Sequence, residues 1–89
     1  MAKNIYKKGD INALILMAQS GDIKALEELI RRVQKHIYAI FSHLVEKKDD
    51  VSDLTQEALL KMAKSIYQLK DISKFKPWLN QIVTNLYYD

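Results

Sequence analysis

The sequence predicts an all-α fold, a compact bundle of four helices, and three observations carry that expectation. Apolar residues recur at three- and four-residue spacings along most of the chain, while alternating strand-like runs of useful length are missing. Two Gly and one Pro in 89 residues leave little room for loops. Hydrophobic residues at 48% and charged residues at 28% suit one small domain that commits most apolar side chains to a modest core. Residues 1–9 read as a polar N-terminal segment and 10–89 as the helical domain.

Asp10 is placed to cap a first helix carrying Ile11, Leu14, Ile15 and Ala18 on one face, and Gly21 suits the left-handed position that ends it. Asp22 restarts the chain. The second helix has the clearest periodicity, with Leu26, Leu29, Ile30, Val33, Ile37, Ile40, Phe41 and Leu44 on its apolar side. Glu46-Lys47-Lys48-Asp49-Asp50 is a charged connection, after which Asp50 or Ser52 caps a third helix running to about Leu69. Lys70-Asp71-Ile72-Ser73 is the next break. Ser73 is expected to cap the fourth helix, with Pro77 in its first turn and Phe75, Trp78, Leu79, Ile82 and Leu86 facing inward. Tyr87-Tyr88-Asp89 continues that helical pattern without a Gly, Asn or basic cap, which favours a domain cut from a longer protein.

Several function classes are disfavoured by what the chain contains. With no cysteine there is no disulfide and no thiolate metal site, in keeping with a reducing cytoplasm. No apolar run approaches the roughly 18 residues of a membrane span, so no membrane insertion is expected. No nucleophile, base and orienting group occur together and no Gly-rich phosphate loop is present, so an enzyme is not expected and no cofactor is called for. His36 and His43 stand seven residues apart, about 10 Å along a helix, too far for an adjacent-turn metal pair. A net charge of +3 permits nucleic-acid binding without demanding it.

Two surfaces resist explanation as ordinary solvated faces. At about 100° per residue, Val51, Leu54, Ala58, Met62, Ile66 and Leu69 of the third helix share one side, which is its core stripe. Asp53, Gln56, Glu57, Leu60, Lys64 and Tyr67 gather across the helix, so two sizeable apolar groups stand among acidic and amide side chains. Asp53 and Glu57 also favour the helix through its dipole, whereas Leu60 and Tyr67 have no such role. On the fourth helix, Asn80, Thr84, Tyr87 and Tyr88 project opposite the core with Gln81 and Asn85 beside them, and none is charged. Amides, hydroxyls and aromatic rings suit base edges and unpaired bases, and Lys70, Lys74 and Lys76 ahead of the helix suit phosphates. Phe75 and Trp78 are expected to pack in the core.

Three stretches in order, Ala18-Gln19-Ser20-Gly21-Asp22, Asp53-Leu54-Thr55-Gln56-Glu57 and Phe75-Lys76-Pro77-Trp78-Leu79-Asn80-Gln81-Ile82-Val83-Thr84-Asn85-Leu86, together resemble region 2 of bacterial RNA polymerase sigma factors. The extracytoplasmic-function type is the nearest resemblance, and it runs from about Leu14 to Asp89. The second stretch is similar to that family's D-x-x-Q-E signature and the third to F-x-x-W-L-x-x-I-x-x-N. The resemblance implies that Asp53, Gln56 and Glu57 dock on the coiled coil of the polymerase β′ subunit, with Leu60 added as an apolar contact by its position beside them. It also implies that the fourth helix and the segment before it recognise promoter DNA, the separated nontemplate strand of the minus-ten element, and help to melt it. Lys70, Ser73, Lys74 and Lys76 would then shape a pocket and hold the backbone, Asn80, Gln81 and Thr84 would contact bases or phosphates, and Tyr87 and Tyr88 would stack. Family members often carry arginine near the positions of Gln81 and Thr84 and an aromatic residue at that of Leu59. The neutral side chains here imply fewer phosphate contacts and a shallower salt dependence. An anti-sigma protein is a further implied partner, as is a second helical domain for which this sequence has no counterpart. The competing expectation is a helical adaptor whose second stripe binds another helix and which never touches DNA.

Overall fold

A computed structural model describes residues 10–88; the polar segment 1–9 and Asp89 lie outside the described residues. Four α-helices follow one another: α1 (Ile11–Gln19), α2 (Ile23–Leu44), α3 (Lys48–Ser65) and α4 (Phe75–Tyr88). Two 3₁₀ turns, Ile66–Gln68 and Ile72–Lys74, join α3 to α4. The all-α expectation holds, with no strand among the described residues.

The turn from α1 to α2 is fixed by local chemistry. Gly21 has φ 99°, and its N–H donates to the Ala18 carbonyl at 3.0 Å while that of Asp22 reaches back to Met17 at 3.0 Å. This pair of bonds is a Schellman ending, which needs a residue tolerant of the left-handed region. Asp22 then caps α2, accepting from the Ala25 N–H at 3.1 Å. Asp10 also stands at the first cap position, but its side chain makes no capping bond; only its backbone carbonyl accepts, from Leu14. Burial of Leu14 and Ile15 is what holds that helix start.

Helices α1 and α3 both pack against α2, and α4 closes the bundle mainly against α3. Leu14, Ile15, Leu29, Ile37, Phe41, Met62, Ile66 and Val83 are the largest fully buried side chains. Each large apolar side chain withdrawn from water contributes about 1.5–3 kcal/mol, so this shared core outweighs any one cap.

Three expectations need correction. Helix α3 starts at Lys48 with Lys47 as its N-cap residue, ahead of both Asp50 and Ser52. Buried Val51 anchors that first turn through its N–H, which donates to the Lys47 carbonyl at 3.1 Å, and Asp49 and Asp50 sit inside the turn, where they favour the dipole without capping. Ser73 is not the cap before α4. Asp71 instead caps the 3₁₀ turn that leads into α4; its carboxylate accepts the Ser73 N–H at 3.0 Å and hydroxyl at 2.6 Å. Leu44, expected in the core, is 43% exposed in the last turn of α2. Conversely Glu28, Thr55 and Val83 are buried without having been foreseen.

Candidate functional site

The two stripes of α3 separate cleanly. Val51, Thr55, Ala58 and Met62 face inward, and the Thr55 hydroxyl is satisfied within the helix by donating to the Val51 carbonyl at 2.7 Å. Asp53, Gln56, Glu57 and Leu60 are all exposed, Leu60 to 60% and Tyr67 beyond it to 54%. Leu60 stands as a ridge between two hollows. On one side Leu60, Glu57, Lys61, Lys64, Ser65 and Leu86 enclose about 410 Å³ between α3 and α4. On the other, Leu60, Gln56, Leu59 and Ala63 face Ile30 and Gln34 of α2 around about 280 Å³. An exposed leucine flanked by grooves, with amide and carboxylate groups alongside, is a shape that an opposing helix pair can interdigitate with.

The second candidate surface runs along α4. Lys70 follows directly on Leu69, Ser73 and Lys74 lie in the second 3₁₀ turn, and Lys76 is the second residue of α4; all four are exposed. The Asp71 carboxyl is held below its ordinary 3.8 by the Ser73 hydroxyl, then by the Ser73 amide, with a smaller contribution from the Lys74 charge. Asn80, Gln81, Thr84, Tyr87 and Tyr88 are exposed on the outer side of the helix. Gln81 donates its side-chain N–H to the Asn85 side-chain oxygen at 2.9 Å, and the Tyr87 and Tyr88 rings meet edge to face with centroids 4.9 Å apart. Phe75 is buried and Trp78 half-buried, their rings 5.9 Å apart, so both serve packing.

These residues do not form one cluster. Lys76 and Asn80 border a cavity of about 330 Å³ floored by Val33, Phe75 and Leu79, with Arg32 and His36 of α2 on its rim. Tyr87 lies eleven residues beyond Lys76, about 16 Å along the helix axis. Neither His36, set aside on spacing as a metal ligand, nor Arg32 was expected at this cavity. Arg32 belongs to a second unforeseen feature. Glu28 accepts from Arg31 through Nε at 3.0 Å and a terminal nitrogen at 2.6 Å, and from Arg32 Nε at 3.0 Å. The Arg31 hydrogen bonds first, and those of Arg32 next, bring the Glu28 carboxyl from its ordinary 4.5 down to about 2. The spacing of these three residues was a legible signal for the pairing. Among the described residues, no three His, Asp or Glu side chains gather in a way that could hold a metal ion, and no helix is long and apolar enough to cross a membrane.

A four-helix order of this kind, carrying an acidic, amide and leucine ridge on the third helix and an uncharged face on the fourth, defines a class: sigma-70 region 2, whose family model matches residues 29–89. The chain belongs to that family, one of non-enzymatic transcription initiation factors. Its relatives are of the extracytoplasmic-function (ECF) type. It is 33% identical over 73 residues to the ECF RNA polymerase sigma-E factor of Haemophilus influenzae, which covers 82% of this chain and 38% of that protein. With the Escherichia coli K12 sigma-E factor the identity is 33% over 72 residues, covering 81% and 37%. With the ECF RNA polymerase sigma factor SigE of Mycolicibacterium smegmatis it is 32% over 73 residues, covering 79% and 28%. The chain thus spans less than two-fifths of the length of these relatives. No solved structure matches it significantly.

Proposed function

We propose that this domain acts in the cytoplasm as the part of a sigma factor that joins RNA polymerase core to promoter DNA during transcription initiation. The observation that carries the proposal is the Leu60 ridge, 60% exposed between two hollows and flanked by Asp53, Gln56 and Glu57, in a chain that belongs to the sigma-70 region 2 family. The partner at this ridge is the coiled coil of the β′ subunit. Leu60 supplies the apolar centre, while the carboxylates and the amide give orientation and encounter rate.

The segment from Lys70 to Lys76 and the outer face of α4 take the nontemplate strand of the minus-ten element. Lys70, Lys74 and Lys76 hold phosphates, Ser73 and its bond to Asp71 keep the turn in shape, and Asn80, Gln81 and Thr84 meet base edges or backbone. Tyr87 and Tyr88 offer stacking surfaces. Binding to unpaired bases favours the open duplex by mass action, so recognition and assistance to melting come from the same contacts. RNA synthesis itself stays with the polymerase.

The test is binding of the wild type and of Gln56→Ala/Leu60→Ala to an isolated β′ coiled-coil fragment, with circular dichroism on both. The variant is expected to remain folded, since both side chains are exposed, and to lose at least about tenfold in affinity, the scale of one truncated interface anchor. Equal affinity in the folded variant would remove the docking assignment.

A further inference from the structure

Gln19, the last residue of α1, reaches across the bundle. Its side-chain nitrogen donates to the Ile66 carbonyl at 2.8 Å and to the Leu69 carbonyl at 2.7 Å, partners 47 and 50 positions away in sequence. Those carbonyls open and close the 3₁₀ turn that ends α3, and the Leu69 N–H itself bonds the Ile66 carbonyl at 3.2 Å. The Ile66 carbonyl takes the Gln19 bond on its second lone pair, the Leu69 carbonyl lies just past the turn, and one carboxamide carries two hydrogens, so a single Gln can serve both. Shorter Asn lacks the reach, and Glu lacks the donors.

The position of this clamp in the fold gives it its meaning. Leu69 immediately precedes Lys70, the first of the three lysines on the segment leading into α4. Two residues downstream the Asp71 carboxylate accepts from both the amide and the hydroxyl of Ser73. The connection is therefore fastened at its upstream end by α1 and at its downstream end by its own turn. Helix α1 packs against both 3₁₀ turns, yet it contributes nothing to the Leu60 ridge.

We infer that Gln19 is a positioning residue for the Lys70–Lys76 segment: it fixes where the chain leaves α3 and so presents these side chains in register with the outer face of α4 before DNA arrives. The inference rests on the promoter-recognition reading above for the purpose of the clamp, though not for its existence. A segment ordered in advance loses less freedom on binding, which converts into affinity without any contact from Gln19 to DNA.

Two variants and one wild-type measurement test it. Gln19→Met keeps the length and removes the donors; Gln19→Lys restores N–H donors. With polymerase core, Gln19→Met is expected to lose about tenfold in affinity for the nontemplate strand, the loss of two hydrogen bonds of ordinary net strength, while affinity for the β′ fragment stays at the wild-type value. Backbone amide exchange at Lys70 to Ser73 is expected to quicken in the same variant, and Gln19→Lys to recover both within about threefold. In the wild type, the Gln19 side-chain amide protons are expected to exchange at least about tenfold more slowly than those of exposed Gln34, a comparison that needs no variant to fold. Equal exchange for Gln19 and Gln34 overturns the clamp, and unchanged strand affinity in folded Gln19→Met overturns its positioning role. A wild type without promoter preference sinks the recognition reading instead, and the exchange measurements then still decide whether the clamp exists.

Discussion

Among the described residues Glu28 is the charged side chain that the fold buries, and its pairing with Arg31 and Arg32 makes a pH signature. Its carboxyl ionises at about 2 in the folded chain against an ordinary 4.5. Between those values the unfolded chain binds more protons than the folded one, so stability rises with pH across that window. The Glu28 contribution is fully present above about pH 4.5 and is lost as pH falls through about 2, and the lowered Asp71 carboxyl acts in the same direction. Glu28→Gln keeps the size and one acceptor but loses the charge. It is expected to melt several degrees lower at pH 7 and to show a flatter fall in melting temperature from pH 5 to pH 2.5. A wild-type slope retained by the variant would mean that other carboxylates set the acid response. The i, i+3 and i, i+4 spacing made this pairing legible, whereas its burial was not, because a charged residue on an amphipathic helix is ordinarily assigned to the wet side.

The turn between α1 and α2 gives the clearest prediction for the elements. Gly21 has φ 99° and a Cβ built there would meet nothing within 4 Å, so any cost of Gly21→Ala is backbone strain and not a clash. A destabilisation of about 1–2 kcal/mol is expected in urea unfolding, with Gly21→Asn milder because Asn tolerates the left-handed region. Asp22→Ala is expected to cost about 1 kcal/mol by removing the acceptor for the Ala25 amide. This turn was readable because Gly and Asp sit where a helix end and a helix start each have one strongly preferred chemistry. The starts of α3 and α4 were not readable in the same way. Asp50 and Ser52 look like caps, but Val51 is anchored by a preceding turn, and a buried apolar residue outweighs a cap worth about 1 kcal/mol. Likewise Ser73 resembles a cap until the 3₁₀ turn ahead of α4 is seen, and short 3₁₀ turns leave little trace in an apolar pattern.

For the whole molecule, the periodicity that marked four helices also marked their unused faces, which is why the exposure of Leu60, Asn80 and Thr84 was legible in the sequence. The grooves beside Leu60 were not, because each is bounded by two helices whose pairing a single chain's pattern does not state. The same limit hid Arg32 and His36 from the cavity that Lys76 and Asn80 border. This distribution of charge bears on how the molecule holds DNA. The proposed single-strand surface carries three lysines, Lys70, Lys74 and Lys76, while Asn80, Gln81, Thr84, Tyr87 and Tyr88 on α4 are uncharged. Each phosphate neutralised on a single strand adds about 0.7 to the slope of log affinity against log salt, so this domain's share of the slope is at most about 2. With polymerase core present, replacing one of the three lysines by Ala is expected to flatten the slope by about 0.7 and to weaken promoter and scrambled strands alike. Asn80→Ala or Thr84→Ala is expected to leave the slope unchanged and narrow the preference between strands, since base contacts specify and phosphate contacts position. A lysine triple variant with the full wild-type slope would place the nontemplate strand elsewhere on the molecule and leave the neutral face of α4 to a protein partner.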